Sequence, residues 1–315
     1  MSDQRRRLQL TLGVLWLLDA ALQYQPYMFS RAFATQTLAP TAQGNPSLVA
    51  GSITWSADLI ADHVVVANAV FATVQLLLAV GLFWRRTVKA ALVASVVWSV
   101  AVWWLGEGFG GVLTGGADPL TGAPGAVILY ALAAVLLWPR VHNEQERSVG
   151  PPSVAAASPL GDLVARLLWL VLWGSLAYFA VQPANRAANG PHDAVAGLAS
   201  GEPAWLAGLD RTVASSLAGA GQTFAVVSAV VLAIIALGVF APPRLARATL
   251  ILAMLVAAAY WVIGEDLGGI FTGQGTDPNS GPLLILLAVA YWPYTPRPHP
   301  QSDVTPALAN ANPGT

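Results

Sequence analysis

Apolar runs of roughly 13–25 residues, divided by short polar stretches, recur along the whole chain. No other feature restricts the fold as strongly. In a bilayer no water satisfies backbone N–H and C=O groups, so only helices and closed barrels can span it. Continuous runs of this length belong to helices. Composition agrees: 56% of residues are hydrophobic and 10% are charged, against roughly a quarter charged in soluble domains. The expected fold class is all-α, a polytopic integral membrane protein.

The runs predict eight transmembrane helices, at roughly 8–29, 59–83, 88–106, 124–138, 166–181, 214–240, 248–263 and 282–293. The opening "MSDQRRRLQLTLGVLWLLDAAL" has a basic start before an apolar stretch, as a signal peptide does. It lacks a convincing Ala-x-Ala site, and its counterpart in the second half is internal. An uncleaved first span is expected.

That counterpart belongs to a repeat. "GEGFGGVLTGG" (106–116) returns as "GEDLGGIFTGQG" (264–275), a shared GExxGGxxTG phrase. Gln25–Pro26 recurs at Gln182–Pro183, Gly81–Phe83 at Gly238–Phe240, Ala117–Pro119 at Thr276–Pro278, and the Trp-Pro ending at Pro139 at Pro293. Landmarks in one order, at an offset near 157 residues, indicate duplication. The expected organisation is a first four-helix repeat (1–139), a flexible linker (140–165) containing "GPPSVAAASP", a second four-helix repeat (166–293) and a Pro-rich disordered tail (294–315). An even number of spans per half makes these two parallel four-helix repeats, inserted the same way up.

Charge gives the expected orientation. Arg5, Arg6, Arg7, Arg85, Arg86, Lys89, Arg140, Arg147, Arg166, Arg244, Arg247 and Arg297 fall on one side, and only Arg31, Arg186 and Arg211 on the other. The positive-inside rule makes the first side cytoplasmic, with both termini. Both glycine-rich phrases then face out, on a side rich in acid. Alanine richness and the excess of Arg over the single Lys89 point to a bacterial plasma membrane. The long loops 30–58 and 182–213 hold short Pro-started apolar stretches, "NPSLVAGSITW" and "EPAWLAGL", whose Trp55 and Trp205 suit the membrane interface.

The last helix of each half is short. Pro282–Trp292 would cover only about 16 Å and Pro124–Trp138 about 22 Å, against a hydrocarbon core of about 30 Å. Trp-Pro fixes the far ends, so loops 106–123 and 264–281 are expected to dip into the membrane. Irregular backbone survives there only when buried in protein or lining a wet cavity, and paired Gly/Pro-interrupted segments mark binding sites in repeat-built transporters.

Candidate site residues follow. Glu107 and Glu265 sit at helix C-termini, where a carboxylate opposes the helix dipole and needs a partner. Arg31 and Arg186, each shortly after a Gln-Pro, predict the ion pairs Glu107–Arg31 and Glu265–Arg186. Thr114 and Thr272 follow with paired glycines between, as a small-residue packing stripe or a ligand contact. Asp118 and Asp277 precede prolines, as turn formers or cation ligands. Asp19 and Asn68 fall at similar depth and predict a hydrogen bond between them, and an ionisable residue at that depth marks a functional site. His63 is either an interfacial residue or a ligand. Asp58 and Asp62 share a helix face, which alone makes a weak cation site.

Other chemistry is argued against. Without cysteine there are no disulfides, iron–sulfur clusters or Cys-ligated zinc. The spans lack paired histidines for haem, no phosphate-binding glycine loop is present, and Lys89 lies at a boundary unsuited to a retinal linkage. No hydrolase signature occurs. No cofactor is expected, and the sequence defines no metal. A net charge of −1 supplies no field for nucleic acid.

Each half resembles the DoxX-like family of small four-span bacterial membrane proteins. The shared features are the first span with its long following loop, and "FAVVSAVVLAIIALGVFAPPRLARATL" (Phe224–Leu250), an apolar span ending at Gly-x-Phe before a basic turn. The resemblance implies a membrane accessory or redox-associated role and carries over no catalytic residue. The residues themselves point to a non-enzymatic protein in the lipid bilayer, binding or transporting a small solute through an outward-facing cavity lined by two re-entrant loops. The alternatives are a DoxX-like accessory or quinone-associated redox component, and a structural subunit whose glycine faces dock a protein partner.

Overall fold

The computed structural model describes residues 3–139, 154–157 and 160–293. Among these residues the chain is helical and forms no strand beyond one isolated bridge, Val154 to Pro293. The helices are α1 (Asp3–Leu22), α2 (Ser47–Asp62), α3 (Val64–Phe83), α4 (Val88–Leu105), α5 (Ala126–Leu136), α6 (Asp162–Ala180), α7 (Gly190–Leu198), α8 (Ala204–Leu217), α9 (Gly221–Gly238), α10 (Pro243–Ile263) and α11 (Ser280–Ala290).

Five of them, α3, α4, α6, α9 and α10, are long and apolar enough to cross a membrane. Only 22–39% of each apolar window is buried inside the protein. Their large hydrophobic side chains, such as Leu77, Val97, Val171, Val230 and Leu255, are exposed. Soluble monomers rarely carry so much contiguous apolar surface, whereas lipid tails accept it. The α1 helix opens with Arg5, Arg6 and Arg7 and then turns apolar. Its buried Leu8, Leu12, Trp16 and Ala20 recur every four residues and form one face, packed on α3.

The two short helices hold the centre. Both α5 and α11 have eleven residues, eight of them buried. At about 1.5 Å per residue each is near 16 Å long. The α5 helix packs on α4, α11 packs on α10, and the two touch each other. One continuous core runs through Leu129, Tyr130, Trp169, Leu232, Leu250 and Leu283, drawn from both halves of the chain.

Several expected boundaries differ. The first helix ends at Leu22, not near 29, because Pro26 cannot donate a backbone hydrogen bond and its ring clashes with the preceding turn; Pro26–Phe29 is a separate 3-10 turn. The expected helix 59–83 is two, α2 and α3, divided at His63 with φ −130° and ψ 33°. The expected helix 214–240 is also two, α8 and α9, divided where Gly219 takes φ +73°. Asp62 and His63 mark the first break and Gly219, Gly221 and Gln222 the second, signals that a reading by hydrophobic length alone passes over. The Pro-started stretches open α2 and α8.

The linker expectation changes where it can be followed. Val154 to Ala157 are buried in the core, and Arg5 Nη2 donates to the Ala155 carbonyl at 3.1 Å. These four residues pack; they do not form a loose connection. Residues 140–153 and the expected disordered tail lie outside the described residues, with Arg140, Arg147 and Arg297.

Candidate functional site

Each glycine-rich phrase folds into the same local structure. At the end of α4 the N–H groups of Gly106 and Glu107 both reach the Val102 carbonyl, at 2.8 and 3.0 Å. At the end of α10 those of Gly264 and Glu265 reach Tyr260, also at 2.8 and 3.0 Å. The chain then reverses through left-handed residues, Phe109 and Gly110 in one loop and Leu267 and Gly268 in the other. Gly110 is needed there twice over: its φ is +60°, and a Cβ would run into the Pro124 carbonyl. Thr114 Oγ1 donates to Gly111 O at 2.8 Å and accepts from Gly116 N–H, while Thr272 Oγ1 donates to Gly269 O at 2.7 Å and accepts from Gln274 N–H. Trp103 Nε1 donates to Pro124 O, and Trp261 Nε1 to Pro278 O, both at 2.7 Å.

The glutamates find a different partner from the one expected. Val127 N–H donates to Glu107 Oε1 at 3.2 Å, and Gly281 N–H donates to Glu265 Oε2 at 3.0 Å. Each donor lies in the first turn of a short helix, α5 or α11. Each carboxylate therefore leaves the unfavourable C-terminus of its own helix and caps the N-terminus of the next, where free N–H groups and the helix dipole favour negative charge. The pairs Glu107–Arg31 and Glu265–Arg186 do not form. Arg31 instead makes a 3.4 Å exposed contact with Asp62, and Arg186 is exposed with no ion pair among the described residues. An N-terminal cap satisfies a carboxylate with backbone groups already in place, and costs no buried arginine.

The loops are tied across the molecule. Gln25, just past α1, donates through Nε2 to Gly275 O at 3.1 Å. Asn185, just past α6, donates through Nδ2 to Ala117 O at 2.8 Å. Ser280 Oγ donates to Gly122 O at 2.5 Å. Between the loops and the ends of α1–α4 lies a cavity of about 820 Å³. Of the predicted site residues, Asp19, Glu107, Asp118, Glu265, Thr272 and Asp277 line it. Thr114 and His63 do not. Thr114 is spent on its own turn, and His63 is exposed at the α2–α3 junction.

The lining is acidic and aromatic, with no Lys, Arg or His. Burial pushes the Glu107 and Glu265 carboxyls up to about 8; Asp277 nearby adds to both shifts, and the capping N–H groups oppose them. Asp118 and Asp277 are raised by burial too. Asp266 rises to about 7 through burial and then the neighbouring Asp210 and Glu202. The expected Asp19–Asn68 hydrogen bond is absent. Tyr130 OH donates to Asp19 Oδ1 at 2.9 Å, while Asn68 Nδ2 donates to the Gln23 carbonyl at 2.7 Å. That carbonyl lies past the end of α1 and lacks an intrahelical donor, so Asn68 is drawn to it.

Sequence reasoning missed Gln23, Gln75, Glu202 and Asp266 among the polar lining residues. Gln75 stands alone in an otherwise apolar run, and Asp266 is an acid where the first copy has Gly108. Both are visible signals, though neither indicates a shared cavity. Among the described residues no group of three or more His, Asp or Glu is arranged to hold a metal ion.

Fold and surface define a class: a helical protein with five helices able to cross a membrane and an acidic, aromatic cavity at one end. No protein-family model, no curated protein and no solved structure matches the chain.

Proposed function

We propose that this is a membrane protein of two parallel four-helix repeats that binds or moves a small solute through the cavity between its two glycine-rich loops. The loops lie on the outward side and the basic ends in the cytoplasm, as the distribution of arginines requires. The observation that carries the reading is the cavity itself. At about 820 Å³ it falls within the range of small-molecule sites, and both copies of the repeated phrase contribute to its wall. The duplicated backbone reversals and cross-ties support it: Gly108, Gly264 and Gly275 are buried and Gln25 and Asn185 tie the loops across the molecule, features that a segment entering the bilayer would need.

The test uses the purified full chain in mild detergent. A chemically varied set of small solutes is screened for thermal stabilisation, wild type against Ser56→Trp. Ser56 lines the cavity from α2 and is not itself a loop residue, so the indole fills space without replacing any residue of the reversals. A solute that raises the melting temperature of wild type and not of Ser56→Trp is expected, followed by its saturable uptake into liposomes. The reading fails if no solute distinguishes the two proteins, or if a stoichiometric quinone or chromophore copurifies in their place.

A further inference from the structure

Among the fully enclosed side-chain polar atoms of the cavity lining, those without a hydrogen-bond partner are all oxygens. Gln23 Oε1 and Gln75 Oε1 are unpartnered, on side chains only 4% and 8% exposed. Glu107 uses one oxygen to cap α5 and leaves Oε2 enclosed and free. Asp266, 3% exposed, lines the same space, its carboxyl set against that of Asp210. A buried acceptor left without a donor is costly, so a ligand that brings N–H groups to these oxygens is favoured.

The carboxylates converge as well. Asp277, from the second loop, interacts electrostatically with Asp19 of α1, with Glu107 of the first loop and with Glu265. No basic side chain lines the same space. Several largely buried carboxyl groups sharing one cavity resist ionising together without a counter-charge.

Beside them stands an aromatic wall. Trp16 lies one turn before Asp19 on α1, and its Nε1 donates to Ser95 Oγ at 2.9 Å. Trp98, one turn past Ser95, meets Phe71 edge to face with centroids 5.6 Å apart. Aromatic faces attract cations and bury apolar groups.

We infer that the cavity takes a protonated amine with an apolar body, its ammonium group set among Asp19, Glu107 and Asp277 and its apolar part against Phe71 and Trp98. The ammonium supplies both missing things, donors and positive charge. An anion would meet several carboxyl groups with no basic side chain to offset them, and a neutral apolar solute would leave the acceptors unpaired. The inference rests on the reading that the cavity binds a solute.

Three probes share one skeleton and differ in charge: 3-phenylpropylammonium, 3-phenylpropanol and 3-phenylpropanoate. Equilibrium binding to the full chain in detergent is followed by tryptophan fluorescence. The ammonium is expected to bind about tenfold or more tighter than the alcohol, with the carboxylate weakest. In Asp19→Asn and Glu107→Gln the ammonium should lose about tenfold and the alcohol about twofold or less; both variants keep the acceptor that Tyr130 or Val127 uses. The wild-type comparison stands even if a variant fails to fold. Equal binding of alcohol or carboxylate overturns the amine inference while leaving solute binding intact. A site that binds none of the three, yet stabilises with another solute in the Ser56→Trp screen, also overturns the amine alone. Failure in both experiments overturns the solute reading as well.

Discussion

The two glutamates show how one residue joins two helices. Each ends one helix and caps the next, and burial holds its carboxyl near pKa 8 in the folded protein against 4.5 as the ordinary value. Between those values the folded state binds more protons than the unfolded state, so stability falls as pH rises through the window and levels off above about 8. Thermal melts of wild type from pH 5 to pH 8 should therefore slide downward. In Glu107→Gln/Glu265→Gln the slide should be shallower, though Asp118, Asp266 and Asp277 keep part of it. An equal slope in both proteins contradicts the assignment. Gly110→Ala tests the reversal: left-handed strain plus collision with the Pro124 carbonyl should cost about 1–3 kcal/mol or more, read as a lowered melting temperature. A neutral result would mean that the loop does not make this close approach.

At the scale of elements, the short helices behave as core and the long ones as outer walls with apolar, exposed faces. Leu283→Ala in α11 and Leu129→Ala in α5 remove side chains that are 0% and 1% exposed. Each should destabilise by about 2–5 kcal/mol, the usual cost of a buried leucine truncation. Leu77→Ala, at an outward position of α3 that is 64% exposed, should stay within about 0.5 kcal/mol, as exposed substitutions away from such features do. Melting midpoints in one detergent make the comparison, and a larger loss at Leu77 would reverse the inside–outside assignment. The loop ties give a second check. Trp103→Phe and Trp261→Phe each remove one buried-side indole donor, at about 1 kcal/mol.

For the whole molecule, the absence of cysteine is an experimental advantage. Single cysteines placed at Leu113 and at Phe271, both exposed in the glycine-rich loops, should react with a membrane-impermeant maleimide added to intact cells. A cysteine at Arg86, in the exposed α3–α4 turn, should react only after permeabilisation. Labelling of the two loops from opposite faces would rule out parallel repeats. Labelling of all three from one face would rule out the span count.

The class of fold was legible in the amino acids because apolar length is a one-dimensional property. Runs such as 64–83 announce a helix for lipid whatever lies beside them, and the repeated GExxGGxxTG phrase marks equivalent places in the two halves. Part of the acidic lining of the cavity was visible through the repeat, in Glu107, Glu265, Asp118 and Asp277. Partnership was not. Glu107 chose the amide of Val127, twenty residues on, over Arg31; Asp19 chose Tyr130 over Asn68; and the helix breaks at His63 and Gly219 fell inside segments expected to be single helices. Sequence spacing fixes which face of a helix a side chain occupies, but which donor it meets depends on how neighbouring helices pack. Only the tertiary structure decides that, because the free energy of a buried polar group is set by the nearest available partner in space.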